Sequence, residues 1–234
     1  MKERSIFVNR LIIAISGFVC LPLYKYLHSN MQSALADGLL DFCGLVILLF
    51  GQYMRISARG YKSEKHLEKS VLITDGPYGF VRHPMYLGGF LIGLGIVVLL
   101  LRLWMIPVYL ALFFLWYWPQ IYNEQRSLLN KFGQRYIDYS KTTPCFFPFL
   151  RTLVSFQAQK YFPVKLSWLK KEWNTILVWS LTIVLVEGYE DISSYSFTAF
   201  VKEFVFLLLI VFCFGHLLFS FARSTLANLT QAGR

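Results

Sequence analysis

Long apolar runs set the rhythm of this 234-residue chain. Residues 8–27, 38–54, 85–101 and 200–222 are apolar almost throughout, 103–119 follows the third run after a break at Arg102, and 173–187 is a shorter run. A helix rises about 1.5 Å per residue and needs about 20 residues to cross roughly 30 Å of hydrocarbon. The pattern therefore predicts an all-α, polytopic transmembrane bundle of about six spans. The shortest run just reaches, with Trp173 and Tyr189 as interfacial anchors at its ends. Lys2, Arg4 and Arg10 give a basic start, but no small-x-small cleavage pattern follows before Leu21, Pro22 and Tyr24, so the first run is read as a retained span.

The polar positions between these runs divide the chain into three parts. Residues 1–37 hold the first span and its turn. Residues 38–150 form a core in which a polar loop, 55–84, ends in the turn signal Asp75-Gly76-Pro77 and is followed by a tight hairpin of two spans. In 120–140, Ile121, Leu128, Leu129, Phe132, Tyr136 and Tyr139 follow a helical stripe with charges opposite, interrupted at Gly133. Two prolines in 142–150 end regular structure, and 151–234 is a basic segment leading to two further spans.

Composition agrees with lipid as the solvent: 56% of residues are hydrophobic and only 15% charged, against roughly a quarter charged in soluble domains. The net charge of +10 raises nucleic acid as a partner, but its placement argues against it. Basic residues gather at the N-terminus, in 55–82 and in 126–171, whereas the opposite turns carry Asp37, Asp41, Glu187, Glu190 and Asp191. Six spans put every basic segment on one side, which makes both termini and both long loops cytoplasmic and turns the surplus charge toward anionic lipid headgroups. The oligomeric state is open. Cys20, Cys43, Cys145 and Cys213 are far apart, with no CxxC pair or histidine at metal spacing, so neither a disulfide nor a metal site is expected.

Candidate chemistry concentrates where the loop meets the third span, in DGPYGFVRHPMYLGGFL, residues 75–91. Pro84 suits the first position of a helix, and Arg82 and His83 then stand beside free backbone N–H groups that favour an anion. Gly89 and Gly93 form a GxxxG pair of the kind that marks close helix contact in membranes, while Gly88 and Gly89 leave room for a ligand. Gln120 and Glu124 are spaced i, i+4 at the cytoplasmic end of the next span. An antiparallel hairpin brings them level with His83. The expectation is one cytoplasmic pocket holding Tyr78, Arg82, His83, Tyr86, Gln120 and Glu124, suited to a zwitterionic, purine-bearing cofactor: Glu124 for an ammonium, the helix end for a carboxylate, the tyrosines for a ring or a cation. Neither a Rossmann glycine fingerprint nor a phosphate-binding glycine loop is present.

Arg82-His83-Pro84-Met85-Tyr86-Leu87-Gly88, a hydrophobic segment, then Glu124-Gln125, Phe132-Gly133, Tyr136 and Tyr139 resemble the signature of the isoprenylcysteine carboxyl methyltransferases and related phospholipid methyltransferases. The resemblance covers about 40–150. It implies S-adenosylmethionine as cofactor, met by Ser70, Val71, Leu72, Ile73, Tyr78, His83, Pro84, Met85, Tyr86 and Glu124, with Arg82 and Glu124 in the chemistry and a lipophilic or lipidated acceptor entering from the bilayer. Two positions depart from the family pattern. Gln125 stands for a second glutamate, and Gln120 stands for an arginine that the family associates with its substrate. The same signature resembles part of the NADPH-dependent sterol reductases, but Met85 and Gly89 replace the Asn and Asp expected there. A transporter or scaffold is the non-enzymatic alternative, and no pair of broken helices supports it.

Overall fold

The computed structural model describes residues 34–65, 71–150 and 161–194 continuously, together with residue 152 and a set of positions between 198 and 220. The first expected span, 8–27, and Ser70 lie outside the described residues. Six helices are bounded: α1 (Ala34–Lys65), α2 (Pro77–Phe80), α3 (Pro84–Leu100), α4 (Met105–Phe132), α5 (Gln134–Thr142) and α6 (Leu166–Ser194). Residues 208–216 are also helical, and no strand occurs among the described residues. The expected runs 38–54, 85–101, 103–119 and 173–187 fall in α1, α3, α4 and α6.

Local chemistry explains the breaks. Pro77 and Pro84 open α2 and α3 at their first positions, where no N–H is missed. Gly76 (φ 57°) and Gly133 (φ 52°) take the left-handed backbone that side chains resist. Gly133 separates α4 from α5 as its sequence position predicts: its N–H closes α4 on the Leu129 carbonyl, and its own carbonyl accepts from Tyr136 N–H at the start of α5.

One boundary differs from expectation. The first eleven residues of the polar loop expected from residue 55 are helical instead, because α1 continues to Lys65. Its polar positions are satisfied by the segment before and within α6. Ser57 donates to the Pro163 carbonyl (2.6 Å), Tyr53 to the Phe162 carbonyl (2.7 Å), and Arg55 and Arg59 both reach Glu172. The Trp168 ring lies against Gly60, where any side chain would collide with it, and its indole N–H donates to Glu64 (2.8 Å).

The closest helix pair is α1 with α3. Gly44 meets Gly95 and Gly51 meets Gly88, so the contacts recur at seven-residue spacing and run antiparallel. An added Cβ at Gly44, Gly51 or Gly95 would stand within 3.0 Å of the facing backbone. Gly95 makes the close helix contact expected of it, while neither Gly89 nor Gly93 of the GxxxG pair lies at this backbone contact with α1. Gly93 faces the Tyr109 ring and Gly89 faces Arg55. Around this pair, Leu45, Leu48, Ile92, Leu99 and Leu100 pack with Trp179 and Ile183 of α6. A second core centres on Phe90, ringed by Tyr109, Phe113, Phe114, Phe146 and Phe147 at centroid distances of 5.0–6.2 Å.

The outward faces are also apolar. Leu39 and Phe42 on α1, Leu112, Leu115 and Trp116 on α4, and Leu181 and Leu185 on α6 are exposed. A surface of this kind belongs against hydrocarbon. Among the described residues, Gly38–Lys65 is the helical stretch both long and apolar enough to span a bilayer alone, and Pro84–Leu100 is apolar over 17 residues, about 26 Å of helix.

Candidate functional site

A cavity of about 230 Å³ opens where α1, α2, α3 and α4 converge. Arg55 and Lys62 come from α1, Tyr78 from α2, Arg82 and His83 from the two-residue lip before α3, Pro84, Met85, Tyr86 and Gly89 from α3, and Phe113, Tyr117 and Glu124 from α4. Helix α4 aims its three contributors along one stripe: Phe113, Tyr117 and Glu124 lie at steps of four and seven residues, which return to the same face. The rings pack on one another, His83 against Tyr86 (5.7 Å), Tyr86 against Tyr117 (5.7 Å) and Tyr117 against Phe113 (4.5 Å).

The polar groups are held from behind. His83 is buried, and its Nδ1 lies 3.5 Å from Glu124 Oε2, while Lys62 Nζ approaches Glu124 Oε1 at 3.7 Å. Arg82 Nη1 donates to Gln125 Oε1 (3.3 Å) and to the Tyr136 hydroxyl (3.2 Å), and Arg82 N–H donates to the Pro144 carbonyl (2.8 Å). Tyr139 donates to the Tyr78 carbonyl (2.6 Å), so α5 and the chain after it brace the lip. Two buried nitrogens facing this region, Arg82 Nε and His83 Nε2, make no hydrogen bond of good geometry. An unsatisfied buried donor costs free energy that a ligand can recover.

Charge coupling follows from these distances. The hydrogen bond with His83 holds the Glu124 carboxyl below its usual range, against the effect of burial and with help from Lys62. Burial works to lower the His83 imidazole, but its contacts with Cys145 and Glu124 outweigh it and the net direction is upward. Burial likewise opposes ionisation of Cys145, yet His83, Arg82 and the Gln125 amide bring the thiol below its usual value. Gln125 Nε2 donates to Cys145 Sγ at 3.0 Å.

Of the residues expected at a cofactor site, Tyr78, Arg82, His83, Pro84, Met85, Tyr86 and Glu124 line this one cavity. Val71, Leu72 and Ile73 lie in the irregular chain before α2 and do not line it; Val71 is exposed. Gln120 is also outside. It is exposed and its amide donates to the Trp116 carbonyl (3.2 Å), while Ile121, only 1% exposed, faces the core at that turn. The helix end is less available to an anion than the sequence suggests. Pro84 has no N–H, and the N–H groups of Tyr86 and Leu87 both donate to the His83 carbonyl (3.1 Å each). Arg55, Lys62, Phe113 and Tyr117 were not expected. The stripe of Phe113 and Tyr117 with Glu124 was readable in the sequence, whereas the α1 pair was hidden by the loop assigned there.

A histidine-proline lip thus stands beside a carboxylate across a helical hairpin. Residues 44–130 match the isoprenylcysteine carboxyl methyltransferase (ICMT) family. The chain is 34% identical over 147 residues to a protein-S-isoprenylcysteine O-methyltransferase of Tribolium castaneum, covering 59% of this chain and 51% of that one. It is 30% identical over 139 residues to the Schizosaccharomyces pombe enzyme of the same name, covering 56% and 57%. A nickel-cobalt-cadmium resistance protein NccN of Alcaligenes xylosoxydans xylosoxydans is 37% identical over 123 residues, covering 52% and 55%. Among solved structures, the eukaryotic intramembrane Ras methyltransferase ICMT is similar over 61% of this chain and 53% of that one, at 28% identity and a TM-score of 0.45. This chain spans about half the length of the curated relatives it matches.

The segment that matches the ICMT family supplies every residue that lines the cavity, from Arg55 to Glu124. Further supports lie beyond it, at Tyr136, Tyr139, Pro144 and Glu172. Gln125, the departure from the family's glutamate pair, still receives Arg82, but without a countercharge.

Proposed function

We propose that this protein is an integral membrane methyltransferase that transfers a methyl group from S-adenosylmethionine to a lipophilic acceptor, an isoprenylcysteine-like carboxylate or another lipid, at the cytoplasmic boundary of the bilayer. The observation that carries the reading is the single cavity shared by Tyr78, Arg82, His83, Tyr86 and Glu124 in a segment that matches the ICMT family. The residues suit such a cofactor: a carboxylate for its ammonium, aromatic rings packed edge to face for its sulfonium, and buried Arg82 Nε and His83 Nε2 still lacking partners. At about 230 Å³ the cavity is smaller than the ~300 Å³ at which small-molecule sites usually begin. It therefore takes the methionine end, and the adenosine falls to the surroundings, where Ser70, Val71, Leu72 and Ile73 are the candidate contacts.

When bound, the cofactor supplies an electrophilic methyl group. The chain supplies position. Glu124, fixed by His83 and Lys62, orients the amino-acid end; Arg82, braced by Gln125 and Tyr136, faces the acceptor; Pro84 and Met85 form the floor of the lip. Such orientation of an in-line displacement is worth on the order of 7–11 kcal/mol, and a carboxylate acceptor needs no general base.

Calorimetric titration of the detergent-purified protein with S-adenosylmethionine, S-adenosylhomocysteine and NADPH tests this. The adenosyl ligands should bind and NADPH should not, and both Glu124→Ala and His83→Ala should lose that binding while remaining folded. A response to NADPH alone would move the assignment to a reductase.

A further inference from the structure

Arg55 has no part in the sequence signature, yet it stands in the cavity wall. Its Nε and Nη2 engage Glu172 of α6 at 3.2 and 3.4 Å, and Arg59 Nη1 meets the same carboxylate at 2.9 Å. Glu172 is wholly buried. The third nitrogen, Nη1, is turned the other way. It lies 3.2 Å from the point where a Cβ on Gly89 would stand, so it projects over the one lining position that has no side chain.

Charge balance gives this placement a purpose. Arg55, Lys62 and Arg82 line the cavity against a single carboxylate, Glu124. Lys62 is spent on Glu124, and Arg82 Nη1 on Gln125 and Tyr136. The start of α3 has two of its N–H groups already taken by the His83 carbonyl. Besides the buried Arg82 Nε, a carboxylate entering the cavity finds a cationic donor at Arg55, whose Nη1 is directed away from Glu172 and over Gly89. Guanidinium groups suit this task because their fork can hold one partner while presenting another N–H in a fixed direction.

We propose that Arg55 is an anion-binding residue of the cavity, taking a ligand carboxylate, and that Glu172 is the positioning residue that aims it. Glu172 lies outside the ICMT-family segment, so part of the site is built by α6. This rests on the proposed methyl transfer from S-adenosylmethionine, and the carboxylate belongs either to the cofactor's methionine or to the acceptor.

Calorimetry on the full-length protein in detergent separates the cases. One ligand pair is S-adenosylhomocysteine against 5′-methylthioadenosine, which lacks the amino-acid end. The other is an S-prenylated N-acetylcysteine against its methyl ester. Arg55→Gln should weaken the carboxylate-bearing member of one pair by about tenfold or more, the scale of a lost charged hydrogen bond, and leave its carboxylate-free partner within about twofold. The pair affected identifies the source. Glu172→Gln should reproduce that selective loss, whereas Arg59→Gln, which touches Glu172 but not the cavity, should not. Equal effects on both members of each pair, or the same loss in Arg59→Gln, would show only a structural ion pair and overturn the proposal. If Glu172→Gln lowers thermal stability but keeps the carboxylate preference, its positioning role is wrong. Wild-type protein that binds none of the four ligands overturns the methyltransferase reading and this inference with it, whereas binding that is indifferent to Arg55 overturns this inference alone.

Discussion

Glu124 and His83 were legible as partners from sequence because each follows or precedes an expected apolar span, and an antiparallel hairpin sets those two span ends level. Their coupling predicts a pH signature. His83 is raised above 6.5 and Glu124 is lowered below 4.5. The histidine's contribution to stability is fully present below pH 6.5 and fades as pH climbs through the raised value. The glutamate's is fully present above 4.5 and fades as pH falls through the lowered one. The pair should therefore contribute most between about pH 4.5 and 6.5. The difference in thermal midpoint between wild type and His83→Gln, measured across pH, should peak in that window and shrink on both sides. A flat difference would show that the two side chains are not coupled. Gln120 was misplaced because i, i+4 spacing specifies neighbourhood on a helix surface but not which residue of a turn faces inward. Ile121 occupies that direction.

Helix α1 shows the opposite kind of error. Arg55, Arg59 and Lys62 read as loop because charges are costly on an apolar helix, and their compensation is remote in sequence: Glu172 for the two arginines, more than a hundred residues away, and Glu124 for Lys62. Local pattern carries no record of such a partner. The glycines are similar: the sequence shows many close spacings, but only Gly44 and Gly51 set against Gly95 and Gly88 define the real crossing. Gly51→Ala should thus cost about 1–3 kcal/mol by overpacking, read as a fall in thermal midpoint in detergent. Gly38→Ala, with nothing within 4 Å of the added carbon, should be neutral or slightly stabilising. Trp179→Phe removes the indole donor to buried Gln52 (3.1 Å) and should destabilise as well, since Gln52 Nε2 already lacks a partner.

Over the whole molecule, the helical class and four of the apolar runs could be read directly, since a membrane requires backbone groups to be satisfied within each segment. The cavity places polar chemistry at one end of α3 and α4, and the turn at 101–104 lies at the other. In intact vesicles of known sidedness, an impermeant thiol reagent should label a cysteine at Lys141 from the cytoplasmic face and one at Leu103 from the opposite face. Labelling of both from one side would invalidate the orientation drawn from the basic segments. What the chain pattern could not show is how the lip is supported: Tyr139 on the Tyr78 carbonyl, Pro144 receiving Arg82, and Glu172 on Arg55.

Those supports also fix an order of events during synthesis. The lining is complete once Glu124 has been made, but Tyr136, Tyr139 and Pro144 follow it, and Glu172 comes later still. A nascent chain halted by the ribosome after residue 130 would carry the whole segment that matches the ICMT family and yet lack Tyr136, Tyr139 and Pro144 behind the lip and Glu172 behind Arg55. The proposed site is therefore finished only once α6 has been made, because Glu172, the partner of Arg55, belongs to it.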